Sequence, residues 1–413
     1  MKIGEFSTRG EISKDTIRYY VEEGLLIPDI TDGHMSFSQR DLNDLDYIKK
    51  CKTLGFNIRE IKFMMAITRT SHLTEKDAVH DYYDMLEKKK ASLYEQIDSL
   101  NTSIRLIDEN IHNLDQQICL EKKRLGVPLK ALSLLACPEC GGSLSLNQAQ
   151  LTSKYVYEGI LQCDCGYQVK IHDGVVLTGN HYQGEYDHPD FSYGGHYDNV
   201  SRNFVTYLQK SYDYVCSRLK NEDLKDKVVL ETNLDGYVFL YRNFPHLKND
   251  CIYVMIDKFE ETINLFKQRT ERLGLELDIL FIADASVQYP LKKGCIDYFI
   301  DFFGEDEFLL YHPRTLIEMA DSYFSPSLCA FGAYMSYDAN SKSIARVPLC
   351  YPECSPDAFS GYAVREGYGK VGFSFEETET GIMTETYQKY RYQCHVNGDA
   401  LHMHCFTAKR NNT

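Results

Sequence analysis

Between Tyr82 and Leu125 the chain has no proline and no glycine, and its apolar residues fall into a narrow stripe. Leu93, Ile97, Leu100, Ile104, Ile107, Ile111, Leu114 and Ile118 recur in alternating steps of four and three, with Glu, Lys, Gln and Ser between them. That spacing is a heptad seam. A helix packed on its own domain carries a wider apolar face, so this stripe calls for a partner helix of the same kind. A dimeric coiled coil is therefore expected over residues 81–126, stopped by Gly126-Val127-Pro128, with globular parts before and after it.

In the part before it, Ile3–Ser7 is a short apolar-periodic segment and Gly10-Glu11-Ile12 a turn. Ser13 is placed to cap a second helix that Gly24 ends. Two short helices about a tight turn make a helix-turn-helix, whose second helix enters the major groove of DNA. On that helix Thr16, Arg18, Tyr19 and Tyr20 offer a hydroxyl, a cation and two phenols, and Lys14 opens it with another cation. The segment resembles the MerR family of bacterial transcription regulators in Ile3-Gly4-Glu5-Phe6, Ile17-Arg18-Tyr19-Tyr20, Gly24-Leu25-Leu26, Pro28 and Leu54-Gly55-Phe56-Asn57-Ile58-Arg59-Glu60-Ile61. The resemblance implies a wing at Gly33-His34-Met35-Ser36-Phe37, with His34 and Phe37 near DNA, and a phosphate contact at Lys52. Met35 stands where the family has a phosphate-binding arginine, which puts one wing contact in doubt. The family also implies an antiparallel homodimer, an unusually long promoter spacer and RNA polymerase as a partner.

The chain's 413 residues are too many for one ordinary domain, and 43% hydrophobic residues suffice for cores of normal size. A net charge of −15 opposes nucleic-acid binding overall, yet residues 1–80 hold 12 basic and 13 acidic side chains. The acidic excess lies downstream, and DNA contact rests on placed cations. The sequence has no charged-then-apolar leader and no bilayer-length apolar run, so a cytoplasmic location is expected, with no membrane partner. Fourteen cysteines in such a chain favour metal ligands and buried thiols over disulfides.

Four of them, Cys137, Cys140, Cys163 and Cys165, form two pairs on glycine-bearing turns. Four thiolates suit structural tetrahedral Zn2+, although Cys163-Asp164-Cys165 is a tighter pair than usual. With Tyr167–Val176 this stretch resembles the zinc ribbon that precedes several class I methyltransferase domains.

Beyond it, apolar strands are expected at Lys227–Leu230, Cys251–Ile256, Leu277–Ala283 and Ile296–Phe303, with helices at Glu260–Leu273 and Pro313–Tyr323 between them. This alternation predicts a parallel, doubly wound sheet whose ligands bind beyond the carboxyl ends of the strands. Glu231, Asp257 and Asp284 stand at those ends. The pattern resembles the class I S-adenosylmethionine-dependent methyltransferases, and so does a finish with strands at Met383–Tyr392 and Ala400–Ala408. The resemblance implies S-adenosylmethionine as cofactor, but Glu231-Thr232-Asn233-Leu234-Asp235-Gly236 lacks two glycines of the family's loop: Asn233 and Asp235 replace them. Tyr193 and Tyr197 belong to an aromatic stretch, Tyr182–Tyr214, that reads equally as a ligand lid or as a packing brace. Cys350–Cys354 and His402-Met403-His404-Cys405 invite a second metal site. His402 and His404 alternate with Met403 and Cys405, so the two pairs face opposite sides of a strand, which weighs against it.

The expected organisation is multidomain. An α winged helix-turn-helix at 1–80 binds DNA, and a coiled-coil helix at 81–126 pairs the chains. A four-cysteine zinc ribbon at 127–180 then leads to an α/β Rossmann-like, methyltransferase-like effector domain at 181–413. The function this predicts is a MerR-type regulator of double-stranded promoter DNA whose degenerate C-terminal domain senses a small molecule. Two rivals stand beside it: an active methyltransferase that also binds DNA and autoregulates, and a C-terminal protein-docking module that uses the ribbon as its contact surface.

Overall fold

The computed structural model describes residues 1–31, 33–71, 76–118, 123–189, 202–234, 237–384 and 393–411. Four candidates, Tyr193, Tyr197, Asp235 and Gly236, lie outside these residues. The chain divides into two compact units, Met1–Gln116 and Gln117–Thr413.

The first unit contains α1 (Ile3–Arg9), α2 (Lys14–Glu22), β1 (Asp29–Thr31), β2 (His34–Ser36), α3 (Gln39–Thr53), α4 (Ile58–Ser71) and α5 (Lys76–Ile118). Ser13 caps α2, its hydroxyl accepting the Thr16 N–H at 3.1 Å, and Gly24 adopts the left-handed φ of +72° just past the helix end. The antiparallel pair β1 and β2 forms the wing. Phe6, Ile17, Tyr20, Leu25, Phe37, Leu45, Ile48, Ile61 and Met64 make one core beneath it. Arg69 locks the unit: its guanidinium donates to the carbonyls of Gly24 and Leu25 and to Asp44, the last at 2.7 Å.

Helix α5 begins at Lys76, six residues before the expected start, and is described to Ile118. The seam residues Leu93 to Leu114 are 40–63% exposed. The helix does not reach Leu125 as expected, because Lys123–Gly126 is neither helix nor strand. Tertiary bonds take over the backbone there: Lys123 N–H donates to the Glu271 carbonyl at 3.1 Å and Leu125 N–H to the Glu271 carboxylate at 2.9 Å.

The second unit opens with β3 (Val127–Pro128), β4 (Ser145–Leu151), β5 (Tyr155–Gln162), β6 (Gln168–His172) and β7 (Val175–Leu177). After α6 (Arg202–Lys220) come β8 (Val228–Thr232), α7 (Leu240–Asn243), β9 (Ile252–Asp257), α8 (Glu260–Arg272), β10 (Asp278–Ala283) and β11 (Ile296–Phe302). It closes with α9 (Gly304–Leu309), α10 (Leu316–Ala320), β12 (Phe324–Tyr337), α11 (Lys342–Cys350), α12 (Gly361–Lys370), β13 (Phe373–Met383) and β14 (Leu401–Arg410). Among the described residues the sheet runs β13-β14-β12-β11-β8-β9-β10-β7-β6-β5-β3, with β4 on β5.

From β10 to β12 neighbouring strands are parallel, and β14 and β13 are antiparallel additions. The order reverses between β8 and β11, which is where a doubly wound sheet opens its ligand crevice. Alternate residues of β8, Val228 and Leu230 against Val229, fall in the cores of opposite faces, as a strand covered on both sides requires. The ribbon is not a free-standing appendage: β7 pairs parallel with β10, so one sheet runs through ribbon and Rossmann-like part.

Two expectations shift. The penultimate strand lies at Phe373–Met383 rather than Met383–Tyr392, whose residues 385–392 are not described. The Pro313–Tyr323 helix shrinks to α10 and a single tighter turn, since the backbone N–H groups of Leu316 and Ile317 are taken by the Glu305 carboxylate.

Candidate functional site

Three places carry the candidate residues. On α2 the inward face buries Ile17 and Tyr20, which leaves Lys14, Arg18 and Tyr19 exposed and Thr16 half-buried. Arg18 pairs with Asp15 at 2.9 Å in full solvent, a contact that holds it weakly and leaves it available to phosphate. His34 is exposed on the wing, and Lys52 is exposed with its ammonium 5.6 Å from the Tyr20 ring centre.

Tyr20 and Phe37 need correction as DNA contacts. Tyr20 is 4% exposed and Phe37 2%, and Phe37 stacks on Phe6 with ring centres 4.4 Å apart. Their rings brace the recognition helix and the wing from beneath. Met35 is half-buried against the same core, so a thioether packs where the family's cation would reach outward.

The four cysteines converge. Cys137 and Cys140 lie before β4, Cys163 and Cys165 between β5 and β6, and all four sulfurs are within 4.8 Å of one another. The Cys137–Cys165 and Cys140–Cys163 separations are both 3.5 Å. Tetrahedral Zn–S bonds of about 2.3 Å place ligand sulfurs about 3.8 Å apart, so the cluster has the size of a metal site and not of a disulfide. The turns are built to hold it: Gly141 N–H donates to the Cys137 carbonyl and Gly166 N–H to that of Cys163. A Cβ at Gly142 would press on both Cys140 and Cys163 sulfurs at 3.2 Å.

At the strand ends the acids have turned inward. Glu231 is 1% exposed, and its two oxygens accept the N–H groups of Phe239 at 2.6 Å and Leu240 at 2.8 Å, capping α7. Burial pushes its pKa up to about 8, against the opposing pull of those two donors. Asn233 takes a left-handed φ of +55°, a conformation Asn tolerates nearly as glycine does, and its N–H reaches the Ile256 carbonyl. Asp257, 1% exposed, accepts the Phe259 N–H at 2.9 Å. Asp284 accepts from Thr178 at 2.7 Å, from Asn180 at 2.8 Å and from Ser286 N–H at 2.8 Å. Glu231 and Asp284 thus give both carboxylate oxygens to the chain's own donors, and Asp257 gives one, so the acceptors that a ribose and an adenine would need are largely taken.

Sequence reasoning missed Lys258, the residue after Asp257. Its ammonium is buried, ion-paired with Asp187 and 3.6 Å from Glu307, and it faces the rings of Tyr311 at 4.3 Å, Phe259 at 5.4 Å and Tyr182 at 5.6 Å. Burial alone would pull its pKa down, but Glu307 and Asp187 more than reverse this. Only a lysine directly after a strand-end acid could have flagged it. The run Glu305-Asp306-Glu307 is likewise buried.

Beside this cage a cavity of about 610 Å³ opens, with Asn180, Tyr182, Ser286, Tyr311, His312 and Glu353 in its wall. Tyr182 donates its hydroxyl to Glu353. His312 is pushed down to about 4 by burial and by the Lys258 charge, so it is a neutral imidazole at pH 7. Of the aromatic stretch, Tyr182 thus lines the cavity, whereas Phe204 and Tyr212 brace the core, Tyr212 against Phe302 at 4.4 Å.

Comparison with known proteins agrees with the first unit. The MerR HTH family regulatory protein profile matches residues 1–66. The HTH-type transcriptional regulator YfmP of Bacillus subtilis is 34% identical over 116 residues, 27% of this chain and 80% of that protein. The mercuric resistance operon regulatory protein of Bacillus cereus is 29% identical over 108 residues, 26% of this chain and 79% of that protein. Among solved structures, a MerR family transcriptional regulator from Listeria monocytogenes covers 28% of this chain and 86% of its own, at 25% identity and TM-score 0.23. A SAM-dependent methyltransferase from Aquifex aeolicus covers 46% and 88%, at 15% identity and TM-score 0.31. The Rossmann-like assignment of the second unit rests on its strand order. With a winged helix-turn-helix and an exposed heptad helix at its amino terminus, and a relative matched over four-fifths of its length, the chain belongs to the MerR family of helix-turn-helix regulatory proteins.

Proposed function

We propose that this MerR-type regulator works as a homodimer on promoter DNA and that its methyltransferase-like domain senses a small molecule without transferring a methyl group. Lys14, Thr16, Arg18, Tyr19, His34 and Lys52 contact the duplex, and Tyr20 and Phe37 support them from the core. The exposed α5 seam pairs with its copy. RNA polymerase reads the result through deformed DNA.

The observation that carries the sensor reading is the cavity beside Asp284. Its wall combines two phenols, a carboxylate, an amide and a neutral imidazole, a set suited to a planar or cationic ligand. Asn180 and Ser286 form its rim over Asp284, so the ligand meets that rim rather than Glu231, Asp257 or Asp284 themselves. The four thiolates hold structural zinc, whose chemistry there is to clamp two turns, with no coordination position left for a substrate.

Two experiments test this. Native mass spectrometry of the full chain should reveal a small molecule carried through purification, lost in Tyr311→Ala. Titration calorimetry with S-adenosylmethionine and with its demethylated product should give no heat. Tight binding of either would restore the methyltransferase reading.

A further inference from the structure

The antiparallel end of the sheet carries a second cluster of metal-ligand type. His402 and His404 project from the same face of β14, two residues apart. Glu379 on β13 stands directly opposite His404 in the register. The register slips between Glu379 and Gly381, and the extra residue, Thr380, donates its hydroxyl to the Met403 carbonyl. Such a bulge re-aims the side chains beside it. One ligand atom from each of Glu379, His402 and His404 lies within 4.8 Å of the others.

The rings are held from outside the cluster. Ser336 on β12 lies 3.3 Å from His404 Nε2, and Tyr334 stacks on the same imidazole at 4.8 Å and 16°. His404 Nδ1 is left buried with no hydrogen-bond partner among the described residues. His402 Nδ1 is 2.7 Å from Glu379, and its Nε2 is 3.5 Å from Asp338, an additional oxygen at the edge. Ring nitrogens oriented by neighbours and one unsatisfied buried nitrogen are what a metal site looks like without its ion.

We propose that Glu379, His402 and His404 bind a divalent transition-metal ion. Two imidazoles and one carboxylate suit cobalt, nickel, iron or zinc and not magnesium or calcium. The site differs in kind from the four-thiolate cluster. His402 is 21% exposed and Glu379 42%, so the ion exchanges with solvent instead of being sealed into the fold. Sequence alternation had separated the histidines from Met403 and Cys405, and that holds. What it could not supply was the carboxylate, which comes from the neighbouring strand.

The test titrates Co2+ into the full-length chain, already loaded with zinc, and follows calorimetry and the visible spectrum together. One equivalent should bind with weak visible bands and without the strong thiolate-to-cobalt absorption that marks entry into the cysteine cluster. Glu379→Gln, a surface change, should weaken it by about 10-fold or more, and His404→Ala should abolish it, each with unaltered circular dichroism. Binding only with the thiolate signature, or binding that both variants leave unchanged, would overturn the proposal.

Discussion

Asn180 donates its side-chain amide to Asp284 at 2.8 Å, tying the segment that leaves the ribbon to the end of β10. The same amide reaches Ser286 at 3.0 Å. An acid that would face a ligand in an open crevice is thereby held behind Asn180 and Ser286, which line the cavity in its place. Asn180→Ala should lower stability by about 1 kcal/mol, because the buried Asp284 carboxylate loses one donor and keeps those of Thr178 and Ser286. Urea denaturation of the full chain measures it, and an unchanged midpoint would mean that the tie is incidental.

Buried acids make the second unit prefer low pH. Burial pushes Glu231 up to about 8 and Asp301 up to about 6, and it raises Glu305 and Asp306 well above their ordinary range. A carboxyl whose folded pKa exceeds its unfolded value stabilises fully below the unfolded value, and that contribution is lost as pH climbs through the folded one. Stability should therefore fall from about pH 5 to about pH 8, by several kcal/mol in order of magnitude. Glu231→Gln should flatten the slope in urea midpoints, and an undiminished slope would remove Glu231 as its source.

Cys140→Ser should cost the cluster its metal and loosen the ribbon, whose strands continue the sheet through β7 and β10. The expectation is about one zinc per chain in the wild type and little in the variant, with a melting temperature lower by several degrees. Elemental analysis beside a thermal melt decides it. Equal zinc content in the two proteins would contradict the site.

The α5 seam should fail when charged at its middle. Ile107 is 58% exposed on the single chain, so Ile107→Asp leaves the isolated chain almost undisturbed while placing two carboxylates in the proposed dimer seam. Sedimentation should show the wild type as a dimer and the variant dissociating at least tenfold more readily. A variant that remains a dimer at low micromolar concentration would exclude this seam as the interface.

Much of the fold was legible because it depends on short-range pattern. The heptad, the apolar runs of β8 to β11, the Ser13 cap and the cysteine turns are each written within a few neighbouring residues. The strand-end acids were located correctly but their direction was not legible. Whether Glu231 points to a ligand or back at the Phe239 and Leu240 amides depends on a loop eight residues on. Tyr20 and Phe37 misled for a similar reason, since a phenol or phenyl ring on a recognition helix or wing serves packing and contact equally well. The Lys258 cage was out of reach: it joins Asp187, Glu307 and Tyr311, residues far apart in the chain. The end of α5 was overextended because Lys123–Leu125 has helical composition, and its backbone is drawn away by Glu271 and Tyr157, residues distant in the chain.

The most direct test of the account is the affinity of the full chain for its own upstream DNA, followed by fluorescence anisotropy across salt concentrations. Wild type should bind with a steep salt dependence, Arg18→Ala should lose at least tenfold at low salt with a shallower slope, and Met35→Arg should bind more tightly with a steeper slope. Normal binding by Arg18→Ala would put a different surface in the groove and contradict the reading of α2 as the recognition helix.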